Sequence, residues 1–264
     1  TNNNGEFRNQ GIEIELSGKI IDSKDWTWSA SGNIAFNKNK IVSLPDNGME
    51  RNRINAFQVY TGNGDEKKWV GGQQEGQEPG ILYLYQADGI YRSYDEIPAN
   101  LVRKYGSRTY YGPEAWNKLT AEQQNATTNF PIQPGDTKFH DVNGDDVIDE
   151  FDKVKVGATS PRWTGGFNTT LRWKNFQLYG RFDYALGFWL YENSGTQSTT
   201  PWFMGCYQGT YNTPTMYYDT WSESNPNAKY PRYLFADQNG KNNYIASTMF
   251  AYRGDYLAIR EISL

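Results

Sequence analysis

Cysteine and histidine are almost missing from this 264-residue chain: Cys206 and His140 are the only ones. One cysteine closes no intrachain disulfide, and one residue of each type does not make a Cys/His zinc site. Neither belongs to a nucleophile–base constellation, which needs a second base placed beside it. Cys206 reads as incidental, and His140, beside an acidic loop, as a loop-packing residue. The chain has no apolar run near the ~18 residues that would cross a bilayer as a helix. It has no excess of positive charge either. The 26 Lys and Arg stand against 30 Asp and Glu, a formal net charge of −4, so no nucleic-acid partner is expected. A charged-then-apolar leader is missing at Thr1, and the last residues, Tyr256 to Leu264, read as a strand. A piece of a longer protein is therefore expected.

Aromatic residues are abundant. The chain carries 20 Tyr, 13 Phe and 9 Trp, on a mean hydropathy of −0.81. Two architectures reconcile polarity with so many rings. One is an outer-membrane barrel, whose strands alternate lipid-facing apolar and lumen-facing polar residues between aromatic girdles. The other is a secreted β-module that stacks sugars on exposed rings.

Alternation is clear in two hairpins. Ile12, Ile14 and Leu16 share one parity, and Glu13, Glu15 and Ser17 the other, as in a strand with one apolar and one charged face. After the polar turn Asp22-Ser23-Lys24-Asp25, the chain returns with Trp26, Trp28, Ala30, Ile34 and Phe36 on one parity. The arms are expected near the ~9–11 residues of a membrane strand. In the second hairpin Phe167, Leu171 and Trp173 lead into a turn at Lys174-Asn175. Phe176, Leu178, Phe182, Tyr184 and Leu186 then alternate with Gln177, Tyr179, Arg181 and Asp183. The polar face is either the wet side of a soluble sandwich or the lining of a lumen. Arg172, Arg181 and Asp183 are then candidates to line it. Trp26, Trp28, Phe167, Trp173 and Phe176 read as a periplasmic-side belt or as lipid-facing residues.

Loop lengths weigh between the two. The turns at 22–25 and 174–175 are short, whereas the connections at 43–80 and 187–250 are long. Residues 94–135 carry two weakly helical pieces, around Asp95–Tyr105 and Pro113–Asn125. Long structureless connections count against a compact soluble domain, while outer-membrane barrels have short turns on one side and long loops on the other. The asymmetry favours the barrel.

The most specific local motif is the acidic run from Asp141 to Asp152. Asp141, Asn143, Asp145, Asp149 and Asp152 occupy the oxygen-ligand positions of an EF-hand-like calcium loop, with the Val147 carbonyl between them. Two departures stand out: Asp146 replaces the usual glycine, and Asp152 replaces the longer bidentate Glu. The bland alternative is an acidic loop of Asx-turns without metal. Any calcium is expected to be structural, and no organic cofactor is expected.

The same region carries a family resemblance. Pro134-Gly135-Asp136-Thr137-Lys138-Phe139, the acidic loop, Val156-Gly157 and Ser160-Pro161-Arg162-Trp163 follow one another, and Lys174-Asn175-Phe176 closes the run. That order resembles transporters of the SusC/RagA type. Four further blocks agree in order. They are Asn9-Gln10-Gly11-Ile12-Glu13, Glu75 to Gly80 with Asp88-Gly89-Ile90-Tyr91, Thr220 to Pro226 with Ala228 to Arg232, and Tyr256 to Leu264. Ala258 stands where the family commonly has Arg. The resemblance covers nearly the whole chain.

The resemblance implies an all-β fold, an antiparallel transmembrane β-barrel of about 22 strands with long extracellular loops. Residues 1–264 would form part of that one barrel domain, without its plug, N-terminal domain and last strands. It implies TonB-dependent import of glycan oligosaccharides or peptides across the outer membrane of a Gram-negative, Bacteroidota-like bacterium. The partners implied are a SusD/RagB-like surface lipoprotein, the TonB-ExbB-ExbD energy system and membrane lipid. Ligand contacts are sought among the rings of 187–250, with Trp189, Tyr191, Trp202, Tyr207 and Trp221 as candidates. The bland alternative is that these rings pack the loops or sit in the aromatic belt. No catalytic residue is expected, because acidic pairs such as Asp95/Glu96 or Glu13/Glu15 are too generic for glycosidase chemistry. The competing function is a secreted, calcium-stabilised carbohydrate-binding β-module. The two hairpins discriminate: their apolar faces meet lipid in a barrel and a packed core in a sandwich.

Overall fold

A computed structural model describes residues 5–192, 219–232 and 245–264. Five strands form one sheet: β1 (Glu6–Asp22), β2 (Trp26–Ser43), β3 (Trp163–Trp173), β4 (Phe176–Leu186) and β5 (Tyr256–Ser263). Each is antiparallel to its neighbour in chain order, the up-and-down topology of a barrel wall. β3 and β4 are 11 residues each, but β1 and β2 run to 17 and 18. The first hairpin is thus longer than alternation indicated. Its far end continues as a paired ribbon beyond the apolar stretch.

Both short turns lie at one end of the sheet. Trp26 is opposite Trp173, which is opposite Phe176. The Lys174 N–H donates to the Asp25 carbonyl at 2.9 Å, joining the two turns. Lys174 holds a φ of 51°, the left-handed conformation that two-residue hairpin turns require.

Directly opposed residues of antiparallel strands face the same side, so the register sorts the sheet into two faces. One row reads Leu16, Gly32, Phe167, Phe182 and Ile259 across all five strands. The next reads Ile14, Ile34, Gly165, Tyr184 and Leu257. This face stands open: Leu16 is 73 % exposed, Ile12 68 % and Ile259 63 %. In a sandwich it would pack on a second sheet about 10 Å away. Among the described residues no layer covers it.

Rings frame the apolar face at both ends. Trp26, Trp173 and Phe176 stack at the turn end, with centroids 5.6 and 6.0 Å apart. Phe36 and Trp163 meet at 4.7 Å at the other. From Trp163 to Trp173 the strand covers about 33 Å, or about 25 Å along a membrane normal at a tilt of roughly 40°, the height of a barrel's apolar band. Phe167 belongs to the middle of that band rather than to the turn end. Polar atoms on this face find partners within the sheet, as lipid demands. The Trp28 indole donates to Thr169 Oγ1 at 2.8 Å. The Tyr184 hydroxyl crosses Gly165 to donate to the Asn33 carbonyl at 3.2 Å. A Cβ on Gly165 would lie 2.6 Å from that hydroxyl, so only glycine leaves the path clear.

Long connections leave the opposite end, and residues 44–162 are folded rather than irregular. Short strands pair as Phe57–Tyr60 with Lys67–Val70, Ile81–Tyr85 with Lys153–Ala158, and Ala87–Ile90 with Thr137–Phe139. Tyr85, Tyr91, Leu101, Tyr110, Phe139 and Ile148 are buried together in the core of this region. The helical reading of 95–105 does not hold. Tyr94–Glu96 is a single 3-10 turn and Val102–Tyr105 is a strand paired with Arg108–Tyr111, because Pro98 disfavours helix at the residue before it. The second piece survives as two short helices, Pro113–Asn117 and Ala121–Gln124, the latter opened by a Thr120–Gln123 capping box.

This region grips the top of β2. Ile41 exchanges backbone hydrogen bonds with Gln77 and Gly76 at 2.9 and 2.8 Å, and Arg162 pairs with Glu78 at 2.6 Å. Ile41, on the parity of the polar face, is buried, while Lys38 and Lys40 on the other parity stay exposed. The folded connection therefore covers the inner face of the wall's mouth end.

Candidate functional site

Three sets of residues bear on function: the polar face of the wall, the acidic loop and the aromatic residues after β4. The polar face carries Glu15, Asn33, Gly166, Asp183 and Ala258 in one row, and Ser17, Ser31, Asn168, Arg181 and Glu261 in the next. Arg181 and Asp183 are thus together on one face, as alternation predicts, with Arg172 further towards the turns. The salt partner of Asp183 was not visible in the sequence. It is Arg260, at a bulge in β5, which donates to both Asp183 carboxylate oxygens. Arg260 keeps the parity of Ala258 and so faces the polar side; the irregularity after it brings Glu261, otherwise on the parity of Leu257 and Ile259, opposite Arg181 on the same polar face.

Loop residues 141–152 close on themselves. Asp141 accepts from the Gly144 and Asp146 N–H groups, each at 2.8 Å, and Asp145 accepts from Val147 at 2.8 Å. Asp149 accepts from Phe151 at 2.8 Å, and Asp152 from Val142 at 2.9 Å and Asp149 at 2.7 Å. Asp146 adopts a φ of 62°, carrying the left-handed turn expected of glycine. Val147–Ile148 pairs with the strand that begins at Val102, so the loop is anchored to the core through its apolar residue. Asn143 donates to Asp145 and, across the fold, to Asp65 at 2.8 Å, and its buried Oδ1 has no hydrogen-bond partner. Asp152 is fully buried, and burial pushes its carboxyl up to about 6. Burial and the acids Asp149, Asp145 and Asp152 raise the neighbouring Tyr60 to about 12. Among the described residues no three His, Cys, Asp or Glu side chains converge tightly enough to hold a metal ion. The donor types fit calcium, but most of their oxygens are turned to backbone N–H groups.

Of the aromatic candidates, Trp202 and Tyr207 lie outside the described residues. Trp189 lies against Gly157, where a Cβ would stand 2.5 Å from its ring, and takes Arg253 over its face at 5.2 Å. Tyr191 packs on Tyr230 and Phe250. Trp221 covers Gly135. All three described rings therefore pack loops together. Cys206 is outside the described residues, and His140 Nδ1 lies 3.2 Å from Asp88.

Two of the sequence motifs meet in the fold in a way their spacing does not show. Asp136, fully buried, accepts from Arg232 Nε at 2.7 Å, and Arg232 also donates to Gln133 at 2.7 Å. The Gly135-Asp136 block is thereby clamped to the Tyr230-Pro231-Arg232 block. Their separation in sequence hides the pair; only a shared glycine–aspartate and proline–arginine punctuation hints at it.

A sheet with one lipid-ready face, one polar face and a folded mouth is the wall of an outer-membrane β-barrel. No family model matches the chain. It is 26 % identical to TonB-dependent receptor P3 of Formosa agariphila over 99 % of its length, and 23 % identical to TonB-dependent receptor P39 of the same organism over 99 %. It spans only 22 % and 24 % of those relatives. In fold it is similar to the structure of the RagAB peptide transporter, with a TM-score of 0.54 at 17 % identity, covering 98 % of this chain and 23 % of that one. In sequence the chain is thus similar to a stretch of TonB-dependent receptors, and in fold to a stretch of the RagAB transporter.

Proposed function

We propose that the chain is part of an outer-membrane importer that depends on the TonB-ExbB-ExbD system and works with a SusD/RagB-like surface lipoprotein. The observation that carries this reading is the exposed apolar face, continuous over five strands and framed by rings. β1 and β5 are the sheet's edges, and in a closed barrel each meets a further strand, since lipid satisfies no backbone group. The cargo is an oligosaccharide or a peptide; the likeness to the RagAB peptide transporter supports the latter in kind. We also infer that the loop from Asp141 to Asp152 takes a structural calcium ion, supported by its ligand types, its spacing and the unpartnered Asn143 oxygen. Fractionation tests the main reading. The intact protein should enter the outer-membrane fraction, need detergent for release and bring a stoichiometric lipoprotein with it. Recovery alone from the soluble fraction would contradict it.

A further inference from the structure

We propose that a pocket at the mouth end of the wall binds the carboxylate of an acidic oligomer. This rests on the transport reading for its setting and names the class of cargo. The pocket is a cavity of about 520 Å³ between the Phe57–Tyr60/Lys67–Val70 hairpin and the Ile81–Tyr85 strand.

Charge is the first argument. Arg51, Arg53, Lys68 and Lys155 line the cavity, against only two carboxylates, Glu50 and Glu78. Both carboxylates are engaged, Glu50 with Arg53 at 3.2 Å and Glu78 with Arg162 at 2.6 Å. Arg51, Lys68 and Lys155 have no acidic partner among the described residues. Three unanswered cations around one concavity attract an anion, and a guanidinium fork matches the two oxygens of a carboxylate.

A buried acceptor is the second. Gln74 lines the cavity and is 1 % exposed. Its amide N–H donates to the Gly71 carbonyl at 3.2 Å, which fixes the side chain and leaves Oε1 with no partner. Buried acceptors are almost always satisfied, so this oxygen awaits a donor. Arg53 lies 4.1 Å over the Trp69 ring, and its buried Nε is also unpaired. The ligand must therefore bring an anion and a hydroxyl or amide N–H together. Acidic sugars and acidic peptides both do so. Trp69 and Tyr83 add ring surface for the ligand's apolar side.

Titration calorimetry on the intact detergent-purified protein tests this with three probes: an oligogalacturonide, a Glu-rich tetrapeptide and a neutral oligosaccharide of equal length. The comparison variant combines Arg51→Asn, Lys68→Gln and Lys155→Gln, all at exposed positions, with Asn chosen because Arg51 has a positive φ. At least one acidic probe should bind, and weaken about tenfold or more in the variant and at high salt. Which of the two binds identifies the source of the carboxylate. Equal binding to both proteins, binding of the neutral probe alone, or no binding of either acidic probe would overturn the proposal. Outer-membrane residence with its lipoprotein but no acidic binding defeats this inference alone. Acidic binding by a protein that fractionates as soluble defeats the transport reading alone.

Discussion

Single residues decide how the mouth region holds together, and Arg232 is the sharpest case. Removing it takes an ion-pair partner and a hydrogen bond from the fully buried Asp136 and leaves the buried Arg103 as the cation acting on that carboxylate, so Arg232→Ala should cost about 3 kcal/mol. A drop in the thermal midpoint of the detergent-solubilised protein checks this; a shift no larger than that of an exposed Arg8→Ala control would refute it. The acidic loop gives a second test. Calcium at about 100 times its dissociation constant should stabilise the mouth region by about 2.7 kcal/mol, and Asp145→Ala should abolish the gain. An unchanged midpoint with calcium would leave the loop as a self-capped turn. The spacing of the acidic residues is legible in the sequence. Which carboxylate oxygens face backbone N–H groups is not, since that depends on φ and ψ at Gly144 and Asp146.

Among elements, the wall strands were the most legible because a period of two leaves one reading of each face. Leu16 and Ser17 are neighbours on β1, yet Leu16 belongs to the apolar row and Ser17 to the row of Asn168 and Arg181. Leu16→Arg places a charge near mid-bilayer at about 2–4 kcal/mol, whereas Ser17→Arg should be nearly neutral. The fraction of each variant assembled in outer membranes measures the difference, and equal assembly would contradict the register. Strand ends were less legible: beyond Phe36, β2 continues through Asn37-Lys38-Asn39-Lys40 by backbone pairing alone, where no hydrophobic signal marks it. Residues 95–105 misled for a related reason. Pro98 interrupts the helical pattern, and pairing with Arg108–Tyr111 and Val147–Ile148 makes the stretch after it a strand. Glu75 holds the chain just after β2 by accepting from Leu44 N–H and Asn52, bonds that lower its carboxyl below the ordinary value. A depressed carboxylate stabilises above its unfolded pKa and loses that contribution as pH falls through the folded one. Amide exchange at Leu44 should therefore quicken only below the usual carboxylate range.

At the scale of the molecule, loop asymmetry favours the barrel class and the ordered family blocks imply it, while alternation alone leaves sandwich and barrel open. The cored region over the mouth end is not legible in this way, because its strands are two to six residues long and several of their pairings join stretches far apart in sequence. The central claim is that even-numbered residues of β1 around Leu16 meet lipid while odd-numbered ones meet a watery lumen. Spin labels test it directly. On a Cys206→Ser background, Ile14→Cys, Glu15→Cys, Leu16→Cys and Ser17→Cys are labelled in the intact protein in lipid vesicles. Labels at 14 and 16 should be relaxed by dissolved oxygen and shielded from an aqueous nickel chelate, with the reverse at 15 and 17. Access to the nickel chelate at all four positions, without alternation, would contradict the membrane wall.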